Sequence, residues 1–256
     1  MWNQHAMVER LDLPAPVEVD APGNYGVLWH DLLDITEAQP DGWTLVGGLM
    51  ITLLCEESGQ PHLRATEDID GIVQVRGVSD ATESFSRLLR DLGWDIPDDH
   101  VKGTGTGFRF KKKKSLFDLL APEGLGSHGS LTTLPPLGTI EIPGGTQALS
   151  RTQLCPVSVN GRTGWVPRPN LLGAIVIKSC AAVEDKGGGD KDPARHVDDL
   201  AHLYARIPDP LELRGEMRTK DRKRMAAAPE PNWTVVGDAA LAASGRAARN
   251  LLLNPS

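Results

Sequence analysis

The chain has 256 residues, which is enough for one large domain or for a core with an appendage. Its 34 acidic and 27 basic side chains give a formal net charge of −7, which argues against a protein that coats nucleic acid through overall charge. The 3 cysteines are widely spaced and form no C-x-x-C pair, which argues against a disulfide framework or a zinc ribbon and favours a reducing compartment.

The apolar runs of the chain are too short to cross a membrane. The longest, Leu45 to Cys55 and Leu171 to Ile177, fall short of the roughly 20 residues that a spanning helix needs. The N-terminal sequence MWNQHAMVERLD does not combine a basic segment with an apolar one, as a secretion signal does. We therefore expect a cytoplasmic protein without a membrane partner.

One helix is predicted before residue 44, after a stretch of irregular chain. Leu11 to Asn24 contains several proline and acidic residues, which predicts coil at the surface. Leu28, Leu32 and Ile35 then recur at helical spacing, and Asn24 is suited to cap the first turn. A helix is therefore expected directly after Asn24.

A glycine pair connects the next two predicted elements. Thr44 to Val46 has the pattern of a buried strand, and Leu49 to Cys55 has that of a helix. Gly47 and Gly48 lie between them and carry no Cβ, so the backbone can turn sharply there and approach a phosphate closely. The segment is predicted to be a strand, a turn and a helix.

Two aspartates open the following strand, Asp68 to Val75. Asp68 and Asp70 alternate, so both carboxylates face one side, opposite Ile69 and Val73. Acidic residues alternate on many solvated strands, and this pair alone has little specificity. Mg²⁺, however, is commonly held by one or two carboxylates together with substrate phosphates. Following a glycine turn, the pair indicates a metal-dependent nucleotidyl-transfer site.

The clearest helical pattern covers Thr82 to Leu92. Apolar side chains recur there at i, i+3, i+4 and i+7, and Gly93 ends the pattern. Asp80 and Glu83 predict a capping box at its start.

A hairpin is predicted around the lysine run Lys111 to Lys114, between Phe108 to Phe110 and Leu116 to Leu120. Its second strand carries Asp118, which is either the third carboxylate of a two-metal site or a simple strand-end residue. Arg109 is either a cross-strand partner of a carboxylate or a phosphate ligand. The lysine run is either a solvated hairpin tip or a contact for a polyanion.

The remaining chain predicts one more hairpin and then helices. Ala121 to Pro143 is rich in Gly, Pro, Ser and Thr, which predicts a long irregular connection. Asn160-Gly161 predicts a hairpin turn between Leu154 to Val159 and Thr163 to Val166, after which the sheet ends. Helices are then predicted over Leu171 to about Val183, from Asp192-Pro193 to about Ala205, and over Ala239 to Leu253. This order indicates an α+β class with α/β-like alternation, a small mixed sheet flanked by helices and a helical C-terminal portion.

Three parts of this pattern together resemble the nucleotidyltransferase superfamily: the Gly47-Gly48 turn, the string Arg64-x-Thr66-x-Asp68-x-Asp70, and the isolated Asp118 on a later strand. The closer resemblance is to AbiEii/AbiGii-type nucleotidyltransferases, toxins of bacterial abortive-infection and toxin–antitoxin systems, whose pattern is roughly V-G-G and then R-x-T-x-D-x-D. The match continues in the C-terminal half, with Lys178 in an apolar helix, Lys191-Asp192, and Asp199-Leu200.

The resemblance implies a nucleotidyltransferase core over residues 1–166 and a helical region over residues 167–256 that completes the cleft. Residues implied to be catalytic and to bind Mg²⁺ are Asp68, Asp70 and Asp118. Residues implied to bind or position the nucleotide are Gly47, Gly48, Arg64, Thr66, Lys178, Lys191, Asp192 and Asp199. From the residues alone, Lys178 either faces a phosphate or forms a buried ion pair. His196 and His202 lie at i, i+6, which a helix does not align, and neither is assigned a role.

The implied activity is Mg²⁺-dependent transfer of an NMP from an NTP to an acceptor hydroxyl. The favoured acceptor is a tRNA or another RNA end, guided by Lys111 to Lys114 and by the basic cluster Arg214 to Arg224. A cognate antitoxin is the implied protein partner. Two departures, Gly71 in place of a bulky apolar residue and three glycines where the family often has an arginine, keep open a non-catalytic nucleotide- or antitoxin-binding module. The overall acidity keeps open an aminoglycoside-type adenylyltransferase.

Overall fold

The computed structural model describes residues 8–60, 66–78, 80–101, 105–125, 131–184 and 194–254. Its helices are α1 (Gly23–Ala38), α2 (Gly47–Glu57), α3 (Ala81–Asp91), α4 (Gly145–Leu149), α5 (Leu171–Glu184), α6 (Ala194–Ala205), α7 (Pro210–Glu216), α8 (Thr219–Ala227) and α9 (Ala239–Leu253). Its strands are β1 (Glu9–Arg10), β2 (Val17–Val19), β3 (Trp43–Val46), β4 (Asp68–Val73), β5 (Arg109–Lys112), β6 (Ser115–Pro122), β7 (Glu141–Ile142), β8 (Thr152–Val159) and β9 (Arg162–Pro169).

The sheet that carries the predicted site has the strand order β3-β4-β6-β5, with β7 paired to β6. Strand β4 runs antiparallel to β3 and parallel to β6, and β6 runs antiparallel to β5. The register places Val46 beside Asp70, Asp70 beside Asp118, and Asp118 beside Arg109. One row across four strands therefore brings two carboxylates and a guanidinium together.

A second sheet holds the hairpin at Asn160-Gly161, which the sequence did not separate from the first sheet. Strand β8 pairs antiparallel with β9 and parallel with both β1 and β2. Both turn residues have positive φ, 49° at Asn160 and 84° at Gly161, as the predicted tight turn requires. The prediction of irregular chain was wrong for Val17 to Val19, because burial of both valines against β8 favours a strand there.

The helix predictions are confirmed in position, and Gly93, with φ +86°, follows the end of α3 as predicted, but the predicted N-terminal caps do not form. Helix α1 begins one residue before Asn24, with Pro22 as its N-cap. Asp80 makes no side-chain cap bond to α3 and instead accepts a hydrogen bond from Ser84 Oγ at 3.0 Å, so the predicted capping box is absent. The short helices α4, α7 and α8 have too few turns to leave a clear periodic pattern. In the part of the chain that is described, no helix is both long and apolar enough to span a bilayer.

Aromatic side chains fill the core beneath the predicted site. The ring centroids of Trp43 and Phe85 lie 5.5 Å apart, and those of Phe85 and Phe117 lie 5.8 Å apart. Gly71 lies against this cluster, and a Cβ there would come within 2.6 Å of Phe117 Cζ and 3.3 Å of Trp43. Gly71, which follows the second aspartate, therefore leaves room for the packed ring of Phe117. A bulky apolar side chain at this position would occupy that space.

We expect Gly71→Ala to lower the free energy of unfolding by about 1–3 kcal/mol, because the ring of Phe117 is held between its neighbours and must shift. Chemical denaturation measures the change. Gly215→Ala is the matched control, since a Cβ at this helical position meets nothing within 4 Å; a gain of about 0.5–1 kcal/mol is expected there. A Gly71→Ala variant as stable as the wild type would contradict this account.

Candidate active site

Three carboxylates converge where β4 pairs with β6. One oxygen from each of Asp68, Asp70 and Asp118 lies within 4.8 Å of the others. Asp68 and Asp70 share a face because they alternate on β4, and Asp118 joins them because it is the direct parallel neighbour of Asp70. All three donors are oxygens, which suits a hard divalent cation such as Mg²⁺.

The glycine turn lies against these carboxylates. Gly47 has φ +69°, and a Cβ there would lie 1.7 Å from Asp70 Oδ2. A Cβ on Gly48 would lie 2.8 Å from Thr66 Oγ1. No other residue type fits either position without moving its neighbour, and the two glycines bring backbone amides next to the acidic face of β4.

Helix α2 begins at this turn without a side-chain cap. Its N-cap is Val46, and its first turn contains no acidic residue. Backbone amides at an uncapped helix N-terminus favour an anion, both through hydrogen bonding and through the helix dipole. The turn therefore combines amide donors for a phosphate with carboxylates for a metal ion.

Thr66 fixes the orientation of the first aspartate. Its Oγ1 donates a hydrogen bond to Asp68 Oδ1 at 2.7 Å. The side chain that the sequence assigned to nucleotide binding thus contacts a predicted metal ligand. Arg64, two residues earlier in the same string, lies outside the described residues.

Arg109 binds the third carboxylate. Its Nε donates to Asp118 Oδ1 at 2.6 Å and its Nη2 donates to Oδ2 at 2.5 Å, while the same Nη2 lies 3.8 Å from Asp68 Oδ2. The hydrogen bonds to Asp118 raise the pKa of the guanidinium against the opposing effect of burial, and the charges of Asp118, Asp68 and Asp70 raise it further. Of the two interpretations of Arg109, this geometry supports the cross-strand partner.

Lys178 reaches the site from the C-terminal half. Its ammonium donates to Asp199 Oδ2 at 2.8 Å, and the two side chains are 7% and 1% exposed. Lys178 lies on α5 and Asp199 on α6, so the ion pair joins these helices. Of the two alternatives for Lys178, a phosphate contact or a buried ion pair, the structure shows the ion pair, and Lys178 also lines the cavity.

A cavity of about 150 Å³ joins these groups. Its lining combines the glycine turn, both aspartates of β4 and apolar side chains with residues of α5 and α6: Val46, Gly47, Gly48, Thr66, Asp68, Asp70, Leu120, Ile142, Ile177, Lys178, Ala181, Arg195 and His196. Asp118 adjoins it because one of its carboxylate oxygens lies within 4.8 Å of Asp68 and Asp70, and Asp199 adjoins it through its contact with Lys178. Lys191 and Asp192 lie outside the described residues.

Two lining residues, Arg195 and His196, were not identified from the sequence. Both lie on α6 about one turn before Asp199, and Arg195 Nε lies 3.4 Å from His196 Nε2. Arg195 and His196 precede Asp199 by four and three residues, so all three side chains lie on one face of α6. This spacing is the signal in the sequence that could have identified them. His196 is i, i+6 to His202, which a helix does not align, but i, i+3 to Asp199, which it does.

The basic cluster Arg214 to Arg224 is partly used within the protein. Arg224 donates to Glu123 and to Gln147, and Lys220 lies 3.7 Å from Glu123. These contacts attach α8 to the end of β6 and to α4, so the cluster offers less free positive charge than its composition suggests.

We expect Gly47→Ala to abolish divalent-cation binding, because the added methyl group would displace the carboxylate of Asp70. Binding of Mn²⁺ by titration calorimetry measures this. The matched control is Gly59→Ala at the other end of α2, where φ is +67° and a Cβ meets nothing within 4 Å. Both variants should lose about 1–2 kcal/mol of stability from the left-handed backbone, and unchanged Mn²⁺ binding by Gly47→Ala would contradict the site.

Comparison with known proteins shows the fold. No protein-family model and no curated protein matches the chain. The crystal structure of an antigenic nucleotidyltransferase-like protein from Paracoccidioides brasiliensis is similar, with a TM-score of 0.50 and 14% identity over 91% of this chain and 95% of that one. ANT(2″)-Ia in complex with adenylyl-2″-tobramycin aligns with a TM-score of 0.35 and 15% identity over 89% of this chain and 98% of that one. The first likeness confirms the predicted nucleotidyltransferase fold.

Proposed function

We propose that the chain is a Mg²⁺-dependent nucleotidyltransferase that transfers an NMP from a nucleoside triphosphate to an acceptor hydroxyl. The observation that carries the proposal is one cavity lined by Asp68, Asp70, the uncapped start of α2 and Lys178. A triphosphate needs amide and ammonium donors for its oxygens, and a divalent ion needs carboxylates. Both sets of groups adjoin the same space.

Each group of the chain has its own task in the proposed reaction. Bound Mg²⁺ supplies positive charge to the phosphates during transfer. Asp68 and Asp70 hold the ion, and Thr66 keeps Asp68 oriented. The amides of Gly47 and Gly48 bind phosphate oxygens, and Lys178, positioned by Asp199, neutralises part of the triphosphate charge. The acceptor hydroxyl passes its proton to solvent as its oxygen bonds to the α-phosphorus, and the bond between that phosphorus and the oxygen bridging to the β-phosphate breaks, so that pyrophosphate leaves.

The proposed acceptor is the end of a tRNA or of another RNA. Lys111, Lys113 and Lys114 are exposed at the tip of the β5–β6 hairpin. From Ser115 beside this tip to Asp118 is three residues of strand, about 10 Å. An RNA backbone at the tip therefore lies within reach of the cavity, and its attraction to the lysines falls with added salt.

A small cationic acceptor with hydroxyl groups, such as an aminoglycoside, is the second candidate. Two features favour it: the formal charge of −7 and the convergence of three carboxylates at the cavity. An acidic cleft attracts a cationic acceptor, and the lysines at the hairpin tip contribute nothing to binding it. This dependence on charge distinguishes a cationic acceptor from an RNA end.

The test incubates the protein with each α-³²P-labelled NTP, Mg²⁺ and, in separate arms, total tRNA and an aminoglycoside. Label in the tRNA arm, absent with Asp68→Ala/Asp70→Ala, is the expected result. Label in the aminoglycoside arm alone identifies the second candidate. Retained NTP binding without transfer to either acceptor would contradict the proposal and favour a non-catalytic binding module of the same fold.

We further propose a toxin role with a cognate antitoxin, which the V-G-G and R-x-T-x-D-x-D resemblance supports. Induced expression in a bacterial host is expected to arrest growth, while the Asp68→Ala/Asp70→Ala variant at equal abundance should not. Growth arrest by both proteins would separate toxicity from the site, and growth of both cultures would contradict the role.

A further inference from the structure

The third carboxylate of the site already has a cation. Both oxygens of Asp118 accept hydrogen bonds from the fork of Arg109, at 2.6 and 2.5 Å. This pair is fixed by the sheet, because the two residues are direct antiparallel neighbours on β5 and β6. Asp118 is 4% exposed. The Arg109 side chain is 28% exposed, but its bidentate geometry, the buried carboxylate and the strand register make the pair part of the site's construction, unlike a mobile ion pair at the surface.

Arg109 offsets part of the negative charge of the three carboxylates. Its guanidinium binds both oxygens of Asp118, and its Nη2 also lies 3.8 Å from Asp68 Oδ2. A second ion at Asp118 would compete with the guanidinium for the same carboxylate oxygens and would be repelled by its charge at short range. Asp68 and Asp70, on the neighbouring strand, can still chelate one ion from the cavity side.

We propose that this site uses one divalent cation, held by Asp68 and Asp70, and that Arg109 supplies the second positive charge through Asp118. The inference rests on the proposed nucleotidyl transfer and replaces the two-metal arrangement expected from the sequence. Asp118 is then a partner that positions Arg109, whose Nη2 lies 3.8 Å from Asp68 Oδ2, and Asp118 is not a metal ligand.

The test counts Mn²⁺ ions by electron paramagnetic resonance on the full chain with Mn²⁺ and each α,β-methylene nucleoside triphosphate in turn. Wild type is expected to show the spectrum of an isolated ion. Arg109→Gln, which frees Asp118, is expected to bind a second ion, and two ions about 3.5–4 Å apart give a spin-coupled spectrum. Asp118→Asn should keep the wild-type affinity for its one ion. Arg87→Gln, which removes an exposed arginine–carboxylate pair on α3, is the control and should match wild type.

A spin-coupled pair in wild type, or a loss of Mn²⁺ affinity in Asp118→Asn, would overturn the inference and leave the proposed transfer intact. A folded Arg109→Gln protein with an isolated ion would likewise overturn it. Circular dichroism monitors folding. If Arg109→Gln does not fold, the spectrum of wild type and the Mn²⁺ affinity of Asp118→Asn test the inference. Failure of wild type to bind Mn²⁺ at all would instead contradict the metal dependence of the proposed function.

Discussion

Replacing Asp68 or Asp70 with asparagine is expected to reduce nucleotidyl transfer by at least about 10³-fold, or about 4 kcal/mol of transition-state stabilisation. Both carboxylates line the cavity, and they lie within 4.8 Å of one another and of Asp118. Asparagine keeps the shape of the side chain but removes the charge that holds a divalent ion. Initial rates with α-labelled NTP and whichever acceptor takes the label in the transfer assay measure the loss.

Asp91→Asn is the matched control for this pair. Asp91 is exposed at the end of α3, outside the cavity, so the same change of charge should leave the rate unaltered. The unfolding free energy of each variant shows whether a lost rate reflects lost structure. Transfer by Asp68→Asn or Asp70→Asn at the wild-type rate would show that the substituted aspartate is not catalytic.

Replacing Lys178 with methionine is expected to lower the free energy of unfolding by about 3–5 kcal/mol. The change removes the ammonium that donates to Asp199 at 2.8 Å and leaves that carboxylate, 1% exposed, buried without this cation. Urea denaturation monitored by circular dichroism measures the effect. The variant should also bind nucleoside triphosphates more weakly, because Lys178 lines the cavity.

Two comparisons isolate the cost of the buried charge. The double variant Lys178→Met/Asp199→Leu should be more stable than Lys178→Met alone, because it leaves neither charge in the interior. Lys220→Met removes an ammonium that is 61% exposed and lies 3.7 Å from Glu123, and it should cost only about 0–1 kcal/mol. Equal losses of unfolding free energy in Lys178→Met and Lys220→Met would show that the burial of Lys178 does not increase the cost of removing its charge.

The parts of the site that depend on neighbouring residues were predictable from the sequence. The turn at Gly47, the alternation of Asp68 and Asp70 and the hairpin at Asn160-Gly161 each follow from side-chain and backbone preferences within a few residues. The major helices were predictable for the same reason, since their apolar spacing is local. The helix caps were less predictable. The side chain of Asp80 accepts a hydrogen bond from Ser84 Oγ and makes none with the backbone amides of α3.

Contacts between distant segments could not be predicted in this way. Residue types suggested Asp118 as a third carboxylate and Arg109 as a partner of some carboxylate, but only the strand register makes them partners of each other. The approach of Arg195 and His196 to the cavity depends on how α6 packs against α5. Separation of β8 and β9 into a second sheet depends on β1 and β2, whose short segments have little pattern of their own.

The sequence by itself thus determined the chemistry available to this protein: a glycine turn that admits a phosphate, two carboxylates on one strand face and a lysine in an apolar helix. Tertiary structure decided how these groups are combined, including the pairing of Asp118 with Arg109 and of Lys178 with Asp199. The physical reason is that alternation and turn preferences act over a few residues. Register and burial, which set the charge of the site, arise only when separate strands and helices pack together.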